Sequence, residues 1–449
     1  MGVQIMTAAL PIASVQLSEE QLAARDLLQQ GHNVFLTGSA GTGKSTVTTG
    51  FIGSSLRQVD VAATTGIAAI NLRDQFASKA GRTLNVSTVY RWAGIGLGPK
   101  VGQTNEDFFQ WWRVQPFATP KLIRRIQWAE VLVIDEISML PGRLLDYLDY
   151  HCKMLRQSKD PFGGIQVVAV GDFLQLPPVD KEGRGYDWAF QSKAWKEADF
   201  KPAVLTHVHR QADPEFADLL NDFRMGEISK PSGRVLATRV SVFPDAKIPR
   251  LMTHNRAVDK WNQSQLEQLP GETVTLTAMV IGPDSQRDWM IKNMVTPLYL
   301  HLRVGARVMV TANLKDDTGE LIFCNGTMAV VTGINGEKVG VLSDDGVEAI
   351  LSKHMWQFDA QDSESAKFFQ VPLRLAWAST IHKSQGLTLP SAYIDIRSAR
   401  EPGQAYVAIS RIKSLDGLHL REAPTGLFVS EAAIAFHRKA ATQSIIAPY

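Results

Sequence analysis

GSAGTGKS, residues 38–45, follows a short apolar run, NVFLTG (33–38), and leads into a segment of helical character that starts near Lys44. Strand, glycine-rich turn and helix in that order make a phosphate-binding loop. Backbone amides of the turn and the helix N-terminus face the phosphates. Gly38, Ser39, Ala40, Gly41, Thr42, Gly43, Lys44, Ser45 and Thr46 are the expected nucleotide cradle. Lys44 is expected to reach the β and γ phosphates and Ser45 to hold magnesium (Mg2+). Just upstream, LSEEQLAARDLLQQG (17–31) carries leucine and alanine at helical spacing, with Ser18 and Gln21 placed as a capping box. Motors, kinases and switches all use such a loop, so by itself it says NTP and little more.

Two further strands narrow the chemistry. VLVIDE (131–136) is a near-continuous apolar run ending in two acids, the pattern of a buried parallel strand that delivers carboxylates to its C-terminal edge. Asp135 is the expected metal ligand, and Glu136 is placed to polarise an attacking water. IQVVAVGDFLQLPPV (165–179) again ends in polar residues. Gln175 is the candidate sensor of the γ-phosphate, while Asp172 is open between a phosphate-proximal acid and a turn-forming one. Between the phosphate loop and the first of these strands lie STVYRWAGIGLG (87–98) and the aromatic-rich DFFQWW (107–112). Tyr90 and Trp92 are open between base-stacking platforms and a buried aromatic cluster. Phe108, Phe109, Trp111 and Trp112 lean toward packing, within a small subdomain.

Composition closes off other classes. The chain has 449 residues, 45% hydrophobic and 20% charged, enough for two to four ordinary globular domains. A net charge of only +2 excludes a global polycation but not a local basic groove. The two cysteines, Cys152 and Cys324, are far apart and have no metal-ligand spacing, which fits a reducing compartment. No run approaches the roughly 18–20 apolar residues of a membrane span. The opening MGVQIMTAALPIAS lacks a basic head, so residues 1–16 read as a short leader, and an intracellular setting (cytoplasmic or nucleoid-associated) is expected.

Taken together, GSAGTGKS, the ATTGIAA element, VIDEISML and GDFLQLPPV resemble the Pif1-like DNA helicases, relatives of RecD within helicase superfamily 1. HVHRQADPEF (207–216), WASTIHKSQGLTL (377–389) and GQAYVAISRIKSLDGL (403–418) continue the resemblance in order, over residues 17–420. It implies an α/β fold with two RecA-like P-loop NTPase domains, a small wedge insertion in the first and an SH3-like β-barrel insertion in the second. It also implies ATP-driven 5′-to-3′ movement on single-stranded DNA, with ATP and Mg2+ required. By position, Gln21 resembles the adenine-reading glutamine, and Arg210 and Arg411 resemble arginines that approach the γ-phosphate from the second domain. Lys44, Ser45, Asp135, Glu136 and Gln175 match the phosphate, metal and water group. Thr65, Gly66, Thr380, His382, Lys383, Ser384 and Gln385 fall in segments that line the DNA path or couple it to ATP. The chain departs from the family at Thr64, usually proline or serine, and at Thr88-Val89-Tyr90-Arg91-Trp92, usually Thr-(Leu/Ile)-His-Ser-Phe. Arg91 is thereby open between an added DNA-phosphate contact and a solvated surface charge.

The boundaries expected are a first motor domain at 17–205 with its wedge at about 99–120, and a second at 206–449 interrupted at about 275–370. RLMTHNRAVDKWNQSQLEQLPG (250–271) reads as strand then helix, the start of a second parallel sheet. From 304 to 356 short β-prone runs alternate with Gly, Asn and Asp turns, and Cys324-Asn325-Gly326 and Asn335-Gly336 are hairpin signals. The helical pattern and the longer buried strands are expected to resume only after VPLRLAWAST (371–380), so the barrel reads as inserted. Single-stranded DNA, 5′-tailed or forked duplexes and replication or recombination proteins are the expected partners of a monomer. A strand translocase without robust unwinding and a nucleotide-switched scaffold are the competing functions.

Overall fold

The computed structural model describes residues 17–64, 68–69, 72, 85–96, 98–100, 102–115, 118–179, 185–210, 213–241, 248–316, 321–358 and 364–446. The leader 1–16 and the candidate DNA contacts Thr65 and Gly66 lie outside them.

The first half is built on a parallel sheet of β1 (Val34–Gly38), β2 (Val59–Ala63), β3 (Asn85–Thr88), β4 (Val131–Asp135), β5 (Gln166–Val170) and β6 (Lys201–Leu205), in the order β3-β2-β4-β5-β1-β6. β1, β2 and β5 are buried along their whole length, because helices cover both faces. A parallel sheet puts every strand's carboxyl end on one edge. The phosphate loop, Asp135-Glu136 and Gly171-Asp172 therefore meet there although the chain separates them widely. On the helix before β1 the predicted capping box is present: Gln21 N donates to Ser18 Oγ at 3.4 Å and Ser18 N to Gln21 Oε1 at 3.1 Å.

A second parallel sheet of four strands lies in the other half, ordered Ala378–Thr380, Arg250–Met252, Ala392–Ile394, Leu418–Leu420. Its core, centred on Phe216, Leu251, Ile394 and Val407, also takes in Ala40 and Leu176 from the first half. The two halves thus share buried apolar surface directly beside the phosphate loop.

Between the two segments of this second sheet sits an antiparallel insertion. Five strands pair in the order Glu348–Leu351, Lys338–Ser343, Met328–Asn335, Arg307–Val310, Leu373–Leu375. Asn335-Gly336 does close a hairpin, with Asn335 opposite Lys338 and Gly336 at φ 58°. Cys324-Asn325-Gly326 is a turn but not a hairpin. Leu321–Phe323 before it pairs with Leu314–Lys315, whereas Met328–Asn335 after it pairs elsewhere. Leu373–Leu375 belongs to the inserted sheet, so the motor sheet resumes at Ala378 rather than at 371. VPLRLAWAST carries one apolar pattern across two different sheets, which is why periodicity alone misplaces the junction.

The C-terminal helix Glu431–Thr442 corrects a second boundary. It packs on the first half, although it follows the second in sequence. Phe436 stacks on Phe190 at 4.3 Å between ring centroids and touches Phe35, Phe173 and Trp195. Val204 N donates to Ser444 Oγ at 3.2 Å, tying the tail to β6.

Helix Asn105–Trp112 of the candidate wedge is anchored by its aromatic face. Phe108 meets Tyr147 edge-on at 4.7 Å and Trp112 meets His151 at 4.3 Å, both on the helix Gly142–Arg156. Phe108, Phe109 and Trp112 are buried as expected, and Trp111 and Val114 are left facing solvent.

Candidate active site

β1 enters the loop through Gly38, where a Cβ would lie 2.6 Å from Leu205 O and 2.7 Å from Thr42 Oγ1. Only glycine fits so close a turn. Gly43, at φ 83°, caps the helix Lys44–Ser54 in a left-handed conformation that frees its first amides. Lys44 Nζ donates to Gly38 O at 2.8 Å and Ser39 O at 2.9 Å, which lays the ammonium across the loop. Burial lowers its pKa, and the Asp172 and Glu136 carboxylates partly restore it. Gln21 is buried with its Nε2 donating to Thr42 O at 3.2 Å, so the proposed base-reading amide sits against the loop itself.

Glu136 adopts φ 54°, ψ 43°, a left-handed backbone for a residue with a side chain. Such a conformation costs on the order of 1–2 kcal/mol and is held here by surroundings. One of them is Thr64, whose hydroxyl donates to Glu136 O at 3.2 Å. Burial and the adjacent Glu136 charge push the Asp135 carboxyl up to about 7. Burial raises Glu136 as well, against the pull of Lys44 and Arg411. Two raised carboxylates beside one lysine form a donor set short of positive charge. They fit a hard divalent cation that takes few protein ligands and keeps its waters. Ser45 and Asp135 are the residues that would hold it.

The opposite wall comes from the second half. Arg411 is 3% exposed, and its Nε donates to Val407 O at 3.0 Å and Nη2 to Ser410 Oγ at 2.9 Å. Burial and the nearby Arg210 charge lower its pKa to about 10, which leaves it cationic at neutral pH, and Glu136 acts in the other direction. Arg210 is partly buried and close to Tyr406. Its segment is fixed to the first half through His209 N, which donates to Gly41 O at 2.9 Å, and through Glu20, which accepts from Thr206 N at 3.0 Å and His207 N at 3.2 Å. Gln175 is buried in a loop that the backbone of Gly403 approaches so closely that a Cβ there would stand 2.6 Å from Gln175 O.

Asp172 meets both readings open to it: its Oδ1 accepts from Leu174 N at 3.1 Å, which closes a turn, and its carboxylate lies near Lys44 of the phosphate loop. Asp172 is 1% exposed and forms a two-pronged ion pair with Arg224, Nε to Oδ2 at 2.9 Å and Nη2 to Oδ1 at 3.0 Å. Burial alone would raise its carboxyl; the Arg224 and Lys44 charges more than offset this and hold it below the usual range. Arg224 Nη1 also lies 3.1 Å from His437 Nε2 on the C-terminal helix.

The candidate DNA contacts divide. Trp92 is fully buried and its indole Nε1 donates to Asp60 Oδ2 at 2.8 Å, so it is a core residue and not a stacking platform. Trp92→Phe, which keeps the ring but strands part of a buried carboxylate, should destabilise the chain by about 1–3 kcal/mol, read as a lowered urea midpoint. Tyr90 is partly buried at the edge of the same cluster. Arg91 places its guanidinium 4.4 Å above the Phe358 ring of the insertion, which is neither of the two roles open to it from sequence. Thr380 and Ser384 are buried: Thr380 Oγ1 accepts from Lys383 N at 3.3 Å and Ser384 Oγ donates to Ile381 O at 2.8 Å. These two hydroxyls build the turn. Lys383 is the exposed member, and His382 Nε2 sits 3.0 Å from Glu401 Oε2. Gln385 points inward, close enough to Glu136 to lower its pKa, although its buried Nε2 makes no well-formed hydrogen bond. It physically joins the candidate strand segment to Glu136.

The PIF1-like helicase family model matches residues 16–234. The ATP-dependent DNA helicase Pif1 of Bdellovibrio bacteriovorus is 33% identical over 98% of this chain and 95% of its own. This chain belongs to the PIF1-like helicases. Among solved structures, Pif1 from a Bacteroides species in complex with ADP-AlF4 is 31% identical and superposes with a TM-score of 0.77 over 95% of this chain and 98% of the other. A Pif1 helicase solved in a study of unwinding at forked double-stranded DNA is 32% identical, with a TM-score of 0.68 over 95% and 98%.

Within this PIF1-like helicase, motif reading finds the loop, the acids and the arginines but misses Arg224, Tyr406 and Glu20. Arg224 lies in an ordinary amphipathic helix, Pro214–Met225, where nothing but the fold singles it out. Glu20 looks like a first-turn acid of its helix. Tyr406 has a local signal, since it opens the apolar run that ends at Arg411. Among the described residues no helix is long and apolar enough to cross a membrane.

Proposed function

We propose that this chain is an ATP-dependent DNA helicase that moves 5′ to 3′ along single-stranded DNA and separates duplex ahead of it. The observation that carries this is the make-up of the cleft. Lys44, Asp135 and Glu136 stand on the first half, and Arg411 and Arg210 come to them from the second. An arginine supplied across a domain boundary stabilises transition-state charge only in one arrangement of the domains, so turnover is coupled to their closure. Glu136 polarises the water, Lys44 and the loop amides hold the β and γ phosphates, and Gln21 reads the base. Mg2+ bound by Ser45 and Asp135 supplies charge neutralisation at the phosphates.

Lys383 and the Gln385–Glu136 contact support a strand path along the second sheet's edge that feeds into hydrolysis. Alternating grip by the two halves then ratchets the strand, with little sequence preference. Trp111 and Val114, the exposed apolar residues of the 99–120 insertion, are the candidates for the edge that parts the fork. Relatives solved at forked DNA and with ADP-AlF4 support both substrates. Action as a monomer and recruitment by replication or recombination proteins complete the proposal.

The test measures ATPase and unwinding together on 5′-tailed, 3′-tailed and tailless duplexes. Unwinding of the 5′-tailed duplex, with turnover raised by single strand, is expected. Preference for the 3′ tail would reject the polarity. Turnover indifferent to DNA would favour a nucleotide-switched scaffold, and translocation without strand separation would favour the remodeller.

A further inference from the structure

The helix Gln404–Ile409 makes three separate approaches to the nucleotide site. At its start Gly403, φ 72°, abuts the backbone of Leu174 and Gln175, where a Cβ would lie 2.5 Å from Leu174 O. Just past its end is Arg411, beside Glu136. In the middle is Tyr406, 1% exposed, whose hydroxyl accepts a hydrogen bond of 2.8 Å from the backbone amide of Ala40. The outer two, at Gly403 and Arg411, are contacts of a sensor loop and of a motor arginine. The middle one, at Tyr406, has no role in the chemistry described so far.

Ala40 is the third residue of the phosphate loop, and the position of Lys44 assigns its amide to the γ end. Lys44, the side chain that reaches the β and γ phosphates in loops of this type, rests on the carbonyls of Gly38 and Ser39, the residues directly before the Ala40 amide. The groups that act electrostatically on the Tyr406 hydroxyl are Asp172, Arg224 and Arg411, and Tyr406 acts in turn on Arg210. All of them belong to the same end of the cleft. A loop amide that donates to a protein hydroxyl from the other half is an amide for which a phosphate oxygen must compete.

We propose that Tyr406 reads the terminal phosphate from the second half of the chain, its hydroxyl accepting from the Ala40 amide when no γ-phosphate claims that amide and donating to the phosphate oxygen when one does. The exchange needs a neutral phenol. Burial, reinforced by the Asp172 charge, pushes the Tyr406 pKa up to about 12, so the proton stays on oxygen at neutral pH. A hydroxyl can make both bonds because it is donor and acceptor at once. A diphosphate offers no oxygen at this end and leaves the Tyr406–Ala40 bond in place. Tyr406 would thus be a specificity-determining residue that separates ATP from ADP, and it would tie that distinction to the helix carrying Arg411.

This inference rests on the helicase reading only in assuming that the loop binds ATP. The test is equilibrium titration of the full chain with fluorescent ADP and a fluorescent non-hydrolysable ATP analogue, in Mg2+ and without DNA, for the native chain and Tyr406→Phe. Phenylalanine keeps the buried ring, and a thermal melt checks that the variant folds as the native chain does. The expected result is a loss of about tenfold in affinity for the triphosphate analogue, roughly 1.4 kcal/mol, with ADP affinity unchanged or slightly improved. Equal losses for both nucleotides, or none for either, would overturn the proposal. If the native chain bound neither nucleotide, the proposal and the helicase reading would fall together. If it bound both and Tyr406→Phe discriminated as well as the native chain, only the proposal would fall.

Discussion

Glu136→Gln lowers DNA-stimulated ATP turnover by about 10²–10⁴-fold while nucleotide and single-stranded DNA still bind. The amide is nearly the same shape but cannot take a proton from water. Burial keeps the Glu136 carboxyl raised, and the Lys44 and Arg411 charges pull it back toward ionisation. Glutamine removes that proton acceptor and leaves the left-handed backbone and the Thr64 contact untouched. Lys44→Ala should lose turnover on a similar scale, with weakened nucleotide binding as well, because the ammonium spans the loop, the position proposed to hold the phosphates. Steady-state ATPase with saturating single strand, beside a binding titration, separates the two variants. Turnover within tenfold of native in Glu136→Gln would remove Glu136 from the water-activating role.

Arg224→Ala should destabilise the chain by about 3–5 kcal/mol, read from the first transition in urea. The substitution takes from Asp172, 1% exposed, its two-pronged partner and leaves a buried carboxylate with Lys44 as the main remaining positive charge near it. It also removes the link between the first half, the helix Pro214–Met225 and His437 of the C-terminal helix. Asp172→Asn combined with Arg224→Met should recover most of that loss, since the cost of a broken buried pair is mainly the stranded charge. A single-variant loss below 1 kcal/mol would show that the pair is solvated in the native chain. If the double variant folded well but turned over slowly, Asp172 would be acting on Lys44 as well as on the domain contact.

The loop and the paired acids were legible before any fold was known, because each is a local pattern with its own chemistry, whereas the second-half arginines were singled out through the family resemblance. Glycines at 38 and 43, a lysine after them and acids at a strand end are fixed by backbone geometry and phosphate charge, which short segments encode. The junction at 371–380 was not legible, since one apolar run serves two sheets and strand pairing is chosen by distant partners. The same holds for aromatic residues: Trp92 suits a stacking platform or a core equally well by type, and only its bond to Asp60 decides. Ser384 falls by resemblance in a segment that lines the DNA path or couples it to ATP, and its hydroxyl bonds the backbone of its own turn.

By itself the sequence determined that this protein has a phosphate loop, a pair of acids at a strand end, and the ordered motifs of a two-part motor. Only the tertiary structure decided which side chains from the second half touch that loop. It set Tyr406 on the Ala40 amide, Arg224 on Asp172 and Phe436 in the first half's core. The physical reason is the range of the interactions. Backbone conformation and phosphate chemistry are specified within a few residues, whereas desolvated charge pairs and aromatic packing exist only between surfaces that folding brings together.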